Sequence, residues 1–196
     1  MYFFPDQVNW TAFFPFNGQI IESKLWASLP PATKSIYPVI GCYCNERGWA
    51  YPNEQTIAIL SGRTEKTIRH GIKGFDTLGH ITQGHHITQN GRRAKKYHME
   101  FPEPGASITF PFYRCILEKG LWQHLSPSAQ ALYPVMRHFS FFDDKTYRRY
   151  NEPGPEKSSK VAETRDYNYC QLTRDDLAGF AGVTKQTVLP ALNSLL

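Results

Sequence analysis

The spacing of apolar residues predicts a chain made mainly of short helices. After Pro31, which suits the first position of a helix, Ile36, Ile40 and Tyr43 recur at helical intervals. A second, shorter helix is expected to begin after Asn53, because asparagine is a preferred helix cap. These two helices would form the first half of a compact helical unit.

A third helix is predicted after the tight turn Ser61-Gly62-Arg63. Thr64 can cap its N-terminus, and Ile68, Ile72 and Phe75 then fall on one face. The opposite face is left to polar and charged side chains. Glycines inside this segment lower its intrinsic helix propensity, so packing against the other helices must stabilise it.

Residues 80–99 predict a β-hairpin instead of another helix. Ile81 and Ile87 fall on one face of it, and Asn90-Gly91 is a strong signal for a two-residue turn. Helix, tight turn, helix and hairpin, in that order, make a winged helix-turn-helix, whose third helix enters the major groove of DNA.

The same pattern occurs twice in the chain. Residues 14–39 recur 96 positions later as residues 110–135, with 12 of the 26 positions identical. Residues 49–76 recur 120 positions later as residues 169–196, where the apolar positions are kept. A repeat of this length indicates two copies of one folded unit rather than a solenoid of short modules.

The repeat predicts an α+β, mainly α protein of two tandem winged helix-turn-helix domains. Domain 1 would span residues 21–100, after an aromatic N-terminal extension over residues 1–20. Domain 2 would span residues 108–196, after a linker over residues 101–107. It carries an insert at about residues 143–168, expected to be a loop. The sequence ends inside its third helix, so domain 2 is expected to be incomplete and to lack its hairpin.

Positive charge is concentrated in the first copy. Residues 62–98 contain eight lysines and arginines and only two acids, which gives +6, whereas the whole chain is +5. Such a concentration is expected of a protein that binds a polyanion. In the predicted fold these charges fall on the third helix and on the hairpin.

The candidate DNA-binding residues lie on these two elements. Arginine and lysine can donate hydrogen bonds to guanine, and glutamate can accept one from cytosine. Threonines at a helix N-terminus can bind phosphate, and cations on a hairpin tip suit phosphates or the minor groove. The predicted residues are Arg63, Thr64, Glu65, Lys66, Thr67, Arg69, His70, Lys73, Arg92, Arg93, Lys95 and Lys96.

The second copy departs from the first in its third helix. It has Leu189 where the first copy has Arg69, and Pro190 at the next position should break or bend the helix. Two uses stay open for this copy: a weak DNA contact, or docking, dimerisation or architecture. Its candidate DNA-binding residues are Thr184, Lys185 and Gln186.

Part of the first copy resembles the helix-turn-helix domain of plasmid and phage replication initiators and related mobile-element regulators. The resemblance implies sequence-specific binding of double-stranded DNA by a cytoplasmic, nucleoid-associated prokaryotic protein. A transcription regulator of a chromosomal gene shares this module, so that alternative stays open. The matching stretches are Leu29-Pro30-Pro31-Ala32, Tyr51-Pro52-Asn53-Glu54-Gln55-Thr56-Ile57-Ala58, Arg63-Thr64-Glu65-Lys66-Thr67-Ile68 and Leu78-Gly79-His80-Ile81.

Other chemistries find no support in the sequence. No apolar run reaches the ~18 residues of a membrane span, and no phosphate-binding loop or catalytic triad stands out, so no enzyme activity and no cofactor are expected. His85 and His86 would point to opposite faces of a strand, which argues against a shared metal ion. The four cysteines are not paired in metal-binding motifs and indicate reduced thiols in a cytoplasmic protein.

The first 16 residues hold seven aromatic side chains, which other parts of a protein must cover. Packing on the segment's own domain is one interpretation. A homodimer or another protein partner, bound through this segment or through the second copy, is the other. An adaptor that uses its winged helices as docking surfaces is therefore a further functional alternative.

Overall fold

A computed structural model describes residues 13–77, 79, 81–100, 109–140, 170 and 172–195. Within them the protein is α+β: about 56% is helical, and two small antiparallel sheets complete the fold. The prediction of a mainly helical α+β protein is confirmed at this level. The predicted linker (101–107), the predicted insert (about 143–168) and most of the aromatic N-terminus lie outside the described residues.

Copy one, which we define as residues 13–100, contains the three predicted helices and the hairpin together with shorter elements. Its main helices begin where the sequence predicts: at Pro31, directly after Asn53 and directly after Thr64. The elements are β1 Phe13–Asn17, α1 Gln19–Glu22, α2 Leu25–Ser28, α3 Pro31–Tyr43, β2 Trp49–Ala50, α4 Glu54–Ser61, α5 Glu65–Lys73, a 3-10 helix Gly74–Thr77, β3 Ile81–Ile87 and β4 Arg93–Met99.

Copy two, residues 109–195, repeats six of these elements in its described residues. Each of them begins at the residue that corresponds to its counterpart, 96 positions on for the first four and 120 for the last two. The sequence repeat is therefore a structural repeat in the described residues. The elements are β5 Thr109–Tyr113, α6 Cys115–Glu118, α7 Leu121–His124, α8 Pro127–Ser140, α9 Arg174–Ala181 and α10 Lys185–Asn193.

The hairpin has a three-residue loop instead of the predicted two-residue turn. The Thr88 N–H donates to the Arg92 carbonyl oxygen at 2.9 Å, which leaves residues 89–91 outside the ladder. In this loop Gly91 has a φ of +71°, whereas Asn90 lacks the positive φ that a type I′ turn requires at both positions. A glycine in the left-handed conformation at the third loop position is typical of three-residue hairpin loops.

An internal twofold axis relates the two copies. Strand β1 pairs with β5 in antiparallel orientation, and the register aligns Pro15 with Pro111, its own counterpart in the repeat. Pairing of equivalent strands about equivalent residues is the geometry of an isologous dimer interface, here formed within one chain. Beside the axis the ring of Phe16 stacks on that of Phe110 at 4.7 Å. Part of the aromatic N-terminal segment is thus buried between the copies.

Hydrogen bonds cross between the copies in matching pairs. The Trp26 indole N–H donates to the Ala131 carbonyl oxygen at 2.9 Å, and its counterpart Trp122 donates to the Ser35 carbonyl oxygen at 2.8 Å. Since Ser35 and Ala131 are also counterparts, each bond is the twofold image of the other. All four residues are buried, where an unpaired polar group would be costly. One hydrophobic cluster accordingly draws on both copies.

Two glycines extend the symmetry to the turns that precede α5 and α10. Gly62 has a φ of +67° and Gly182 a φ of +64°, a conformation that favours glycine. A Cβ at Gly62 would overlap the carbonyl oxygen of Gln123, and a Cβ at Gly182 would overlap that of Ala27. Ala27 and Gln123 correspond in the repeat. Each of these turns is therefore seated against the opposite copy.

The predicted break at Pro190 is absent, because α10 continues through this residue to Asn193. Proline removes one backbone hydrogen bond from the helix, but Val188 and Ala191 are buried on either side and hold it in place. Helices α3 and α8 likewise run through Pro38 and Pro134. Packing therefore outweighs the local effect of proline in all three helices.

The described residues also bear on the chemistries considered above. None of their helices combines the length and the apolar character needed to cross a membrane. They contain no group of three or more potential metal-ligating side chains. All four cysteines are free thiols, and burial raises the pKa of Cys42 to about 12.

Candidate nucleic-acid interface

Helix α5 is positioned by its N-terminal cap and by close contact with α3. Thr64 accepts a hydrogen bond from the Thr67 N–H at 3.3 Å. A Cβ at Gly71 would lie 2.9 Å from the backbone of Ala32, so glycine is needed for the two helices to approach. Across this contact the Thr33 hydroxyl donates to the Gly71 carbonyl oxygen at 2.8 Å. Packing thus requires the glycine that weakens the isolated helix.

The remaining face of α5 is polar and exposed. Ile68 and Ile72 are buried, as their spacing predicts, and Thr67 is half-buried beside the cap. The side chain of Arg69 is 59% exposed. The exposed residues of the helix are Glu65, Lys66, Arg69, His70 and Lys73.

The hairpin forms a second cationic element next to α5. Strand β4 pairs with both β2 and β3, and Gln83 Nε2 donates to the Ile72 carbonyl oxygen at 3.2 Å, which attaches the hairpin to α5. Lys96 Nζ lies 4.3 Å from the centre of the Trp49 ring in a cation–π contact. The hairpin is therefore held in a defined position relative to the helix.

The tip of the hairpin exposes Arg92 and Arg93. The guanidinium of Arg93 lies 3.2 Å from His85 Nδ1, whereas the neighbouring His86 packs its ring against Tyr51 on the other side of the strand. The two histidines point to opposite faces, as strand alternation predicts. The arginines at the tip remain accessible to a ligand.

One carboxylate, that of Glu54, joins α5 to the hairpin. Its Oε2 lies 2.8 Å from Arg69 Nε and its Oε1 lies 2.5 Å from Lys95 Nζ. The hydrogen bond from Lys95 is the largest cause of the lowered pKa of Glu54, so this group is ionised at neutral pH. We call this arrangement the Glu54 bridge. Both cations are substantially exposed, so the main effect of the bridge is to orient them, and it adds little stability.

Arg63 does not take part in this surface, contrary to the prediction. Its Nε donates to Ser35 Oγ at 3.2 Å, and its Nη2 donates to Gln130 Oε1 at 2.5 Å. Gln130 is buried, and its Nε2 donates to the carbonyl oxygens of Ser61 and Trp122. Arg63 therefore joins the two copies, because the turn before α5 rests on copy two. Desolvation lowers the pKa of Arg63.

Lys34, the counterpart of Gln130, occupies the matching place on the other side of the twofold axis. Its Nζ donates to the carbonyl oxygens of Ala27 at 3.0 Å and Ala181 at 2.8 Å. Burial lowers the pKa of Lys34 to about 8. The sequence pattern does not predict that Lys34 and Gln130 lie between the copies, since both occupy ordinary polar positions of a helix. Only their correspondence in the repeat could have suggested a shared role.

The candidate residues of copy two are exposed but carry little net charge. Lys185 is paired with Asp175 at 2.8 Å, and the Thr184 hydroxyl bonds to that of Thr187 at 3.4 Å. Gln186 is exposed at the position of Lys66. Copy two thus offers donors and acceptors without the cationic surroundings of copy one.

The structure therefore brings six cations together on α5 and the hairpin of copy one, whereas Lys96 lies on the opposite face of β4, over Trp49. Glu54 and Glu65 oppose the six, which leaves a net charge of +4 with histidine neutral. A phosphate backbone is the ligand that such a surface suits. We define this surface as the basic face, and its cations are Lys66, Arg69, Lys73, Arg92, Arg93 and Lys95.

Comparison with known proteins assigns this chain to no family. The chain matches no protein-family model, no curated protein and no solved structure. A functional conclusion therefore has to come from the residues themselves.

Proposed function

We propose that the protein binds double-stranded DNA sequence-specifically through the basic face, as a tandem winged helix-turn-helix protein. The observation that carries the proposal is the exposed cationic side of α5 standing beside a cationic hairpin, while its apolar side packs on α3. A single exposed helix fits the major groove, which is about 12 Å wide. The hairpin would contact the phosphate backbone or the minor groove beside it.

The basic face divides into residues that read bases and residues that hold the backbone. Lys66 and Arg69, on the N-terminal half of α5, would donate to guanine O6 and N7. Arg92 and Arg93, at the hairpin tip, would contact phosphates and carry no sequence information. The Glu54 bridge joins the two elements, because it contacts Arg69 on α5 and Lys95 on the hairpin.

In biological terms we propose a replication-initiator-like or regulatory protein of a plasmid, phage or other mobile element. The support is the resemblance of residues 29–81 to initiator domains. We place the protein accordingly in the prokaryotic cytoplasm, associated with the nucleoid. A transcription regulator of a chromosomal gene would use the same contacts, and the genes that flank the coding sequence distinguish the two roles.

The proposal is tested by selecting bound duplexes from random DNA and titrating them by fluorescence anisotropy at several salt concentrations. We expect specific binding with a Kd of about 10⁻⁸ M or tighter, weakening steeply with salt. Replacing both Arg92 and Arg93 with alanine should weaken all duplexes alike and reduce the salt slope by roughly 2. Lys66→Gln should alter the sequence preference. The control Lys24→Gln, at an exposed lysine outside the basic face, should change neither the sequence preference nor the salt slope. Absence of duplex affinity at low salt would refute the proposal.

One observation favours a second candidate, a protein-interaction adaptor. Leu189 is 52% exposed at the position of Arg69, so the third helix of copy two presents an apolar side chain where copy one has a cation. An adaptor would retain its partner and its cellular function after the basic face is neutralised. Loss of function together with loss of DNA binding in the Arg92 and Arg93 variant would exclude this candidate.

A further inference from the structure

We infer that a single chain of this protein binds a DNA site composed of two unequal half-sites in inverted orientation. The inference rests on the proposed function and adds the layout of the site, the stoichiometry and the part played by copy two. It comes from the internal twofold axis, which no charge pattern in the sequence reveals.

The twofold axis extends from the central strands to the two helix-turn-helix units. At its centre Pro15 opposes Pro111, and at its periphery Gly62 and Gly182 each seat a turn against the opposite copy. Helices α5 and α10 each begin three residues after these glycines. The contacts that the two glycines make with the opposite copy therefore also set the positions of α5 and α10 about the twofold axis. The units face each other as in a homodimer and do not follow one another in a single orientation.

Side chains lock this opposed arrangement on both sides of the axis. Arg63 bonds to Gln130 of copy two at 2.5 Å, and Lys34 bonds to the carbonyl oxygen of Ala181 at 2.8 Å. Both bonds link the turn region of one helix-turn-helix to the long helix of the other copy. The relative orientation of α5 and α10 is thus fixed by packing between the copies and does not depend on a flexible linker.

Protein twofold symmetry is mirrored in the DNA that such proteins bind. Dimeric helix-turn-helix proteins read inverted half-sites whose centres lie about 10 base pairs, or a multiple of that, apart. In this protein both halves belong to one chain, so one molecule per site satisfies the symmetry. Units arranged in a single orientation would instead read a direct repeat.

The two reading faces differ, so the two half-sites must differ as well. Copy two has Gln186 where copy one has Lys66, and Leu189 where copy one has Arg69. Lysine and arginine favour guanine, whereas glutamine pairs with adenine and an apolar side chain contacts the thymine methyl group. We expect a guanine-containing half-site bound tightly by copy one and an A·T-rich half-site bound more weakly by copy two.

The test gives copy two the arginine of copy one. Duplexes are selected from random DNA with the full-length protein and with Leu189→Arg, which replaces an exposed side chain and so leaves the core intact. The variant should prefer guanine at one position of the weaker half-site, in the mirror image of the position read by Arg69. The affinity of Leu189→Arg for duplexes that carry this guanine should exceed that of the wild type about tenfold. The control Leu121→Arg adds the same charge at a leucine that is 56% exposed outside α10, and should leave the preferred sequence unchanged.

Footprinting and native mass spectrometry complete the experiment. Protection of two inverted half-sites by one chain supports the inference. Preferred sequences confined to one half-site, repeats in a single orientation, two chains per duplex, or equal responses to both arginine variants would overturn it and leave DNA binding by copy one intact. A protein that selects no duplex at all would remove the proposed function and this inference together.

Discussion

Replacing Gly62 with alanine would add one methyl group where the turn before α5 meets copy two. Two costs arise from that change. The φ of +67° lies in the left-handed region, which costs other residues about 1–2 kcal/mol. The new Cβ would also overlap the backbone carbonyl oxygen of Gln123. A backbone atom cannot swing aside as the end of a long side chain can, so the turn and the opposite copy would have to separate.

The second cost can be isolated with a matched glycine. Gly91 has nearly the same φ, +71°, but no described atom lies within 4 Å of the position its Cβ would take. Gly91→Ala therefore carries only the conformational cost, about 1 kcal/mol. Overpacking typically adds about 1–3 kcal/mol, so we expect Gly62→Ala to lower the free energy of unfolding by about 3 kcal/mol.

Urea denaturation followed by far-ultraviolet circular dichroism measures both values. Gly182→Ala, the twofold counterpart, should destabilise the protein about as much as Gly62→Ala, because its Cβ would overlap the carbonyl oxygen of Ala27. If Gly62→Ala were no more destabilising than Gly91→Ala, the turn would not contact copy two as described, and the twofold arrangement would lose its outer support.

Three further predictions concern the interface and the basic face. Trp26→Phe and Trp122→Phe each remove a buried hydrogen bond and part of a large buried ring, and should each cost about 1–3 kcal/mol in urea denaturation; clearly unequal costs would contradict the symmetry. The folded-state pKa of Lys34 is lowered to about 8, so between that value and its ordinary one the unfolded chain binds more protons, and stability rises with pH. Lys34→Gln should lack this rise, so parallel urea titrations should show the stability difference between variant and wild type shifting in favour of the wild type above pH ~8; a constant difference would count against the buried amine. Glu54→Gln frees Lys95 and leaves Arg69 paired with Glu65 alone, 3.3 Å away, so anisotropy should show several-fold tighter binding to unrelated duplexes and poorer discrimination. The control Glu46→Gln should change neither, and unchanged non-specific affinity in Glu54→Gln would show that the bridge does not restrain these cations.

Most of copy one could be predicted from sequence because local signals coincide there. Pro31, Asn53 and Thr64 each mark a helix start through the chemistry of a few neighbouring residues. The hairpin was also predicted, but not its loop. The pair Asn90-Gly91 is compatible with two loop lengths, and the pairing of the flanking strands selected the longer one.

The candidate site was predictable only in part. Lys66 and Lys73 are exposed on α5 because helical periodicity separates them from the buried isoleucines. Arg63 has the same local character, yet its partner Gln130 lies 67 positions away and draws it into the interface. Glu54 likewise meets Lys95, which lies 41 positions away in the sequence. Glu54 itself precedes the segment in which the sequence shows concentrated positive charge.

The sequence by itself determined that the chain holds two copies of one unit and where their helices begin. Caps, turns and periodicity act over a few residues, so each copy carries its own full set of signals. Only the tertiary structure decided how the copies meet. The hydrogen bonds from Trp26 and Trp122 span 105 and 87 positions. The helix and strand propensities of neighbouring residues carry no information about partners so distant in the sequence. Strands β1 and β5 pair in antiparallel orientation, and this pairing joins the copies in the opposed arrangement while their aromatic side chains are removed from water.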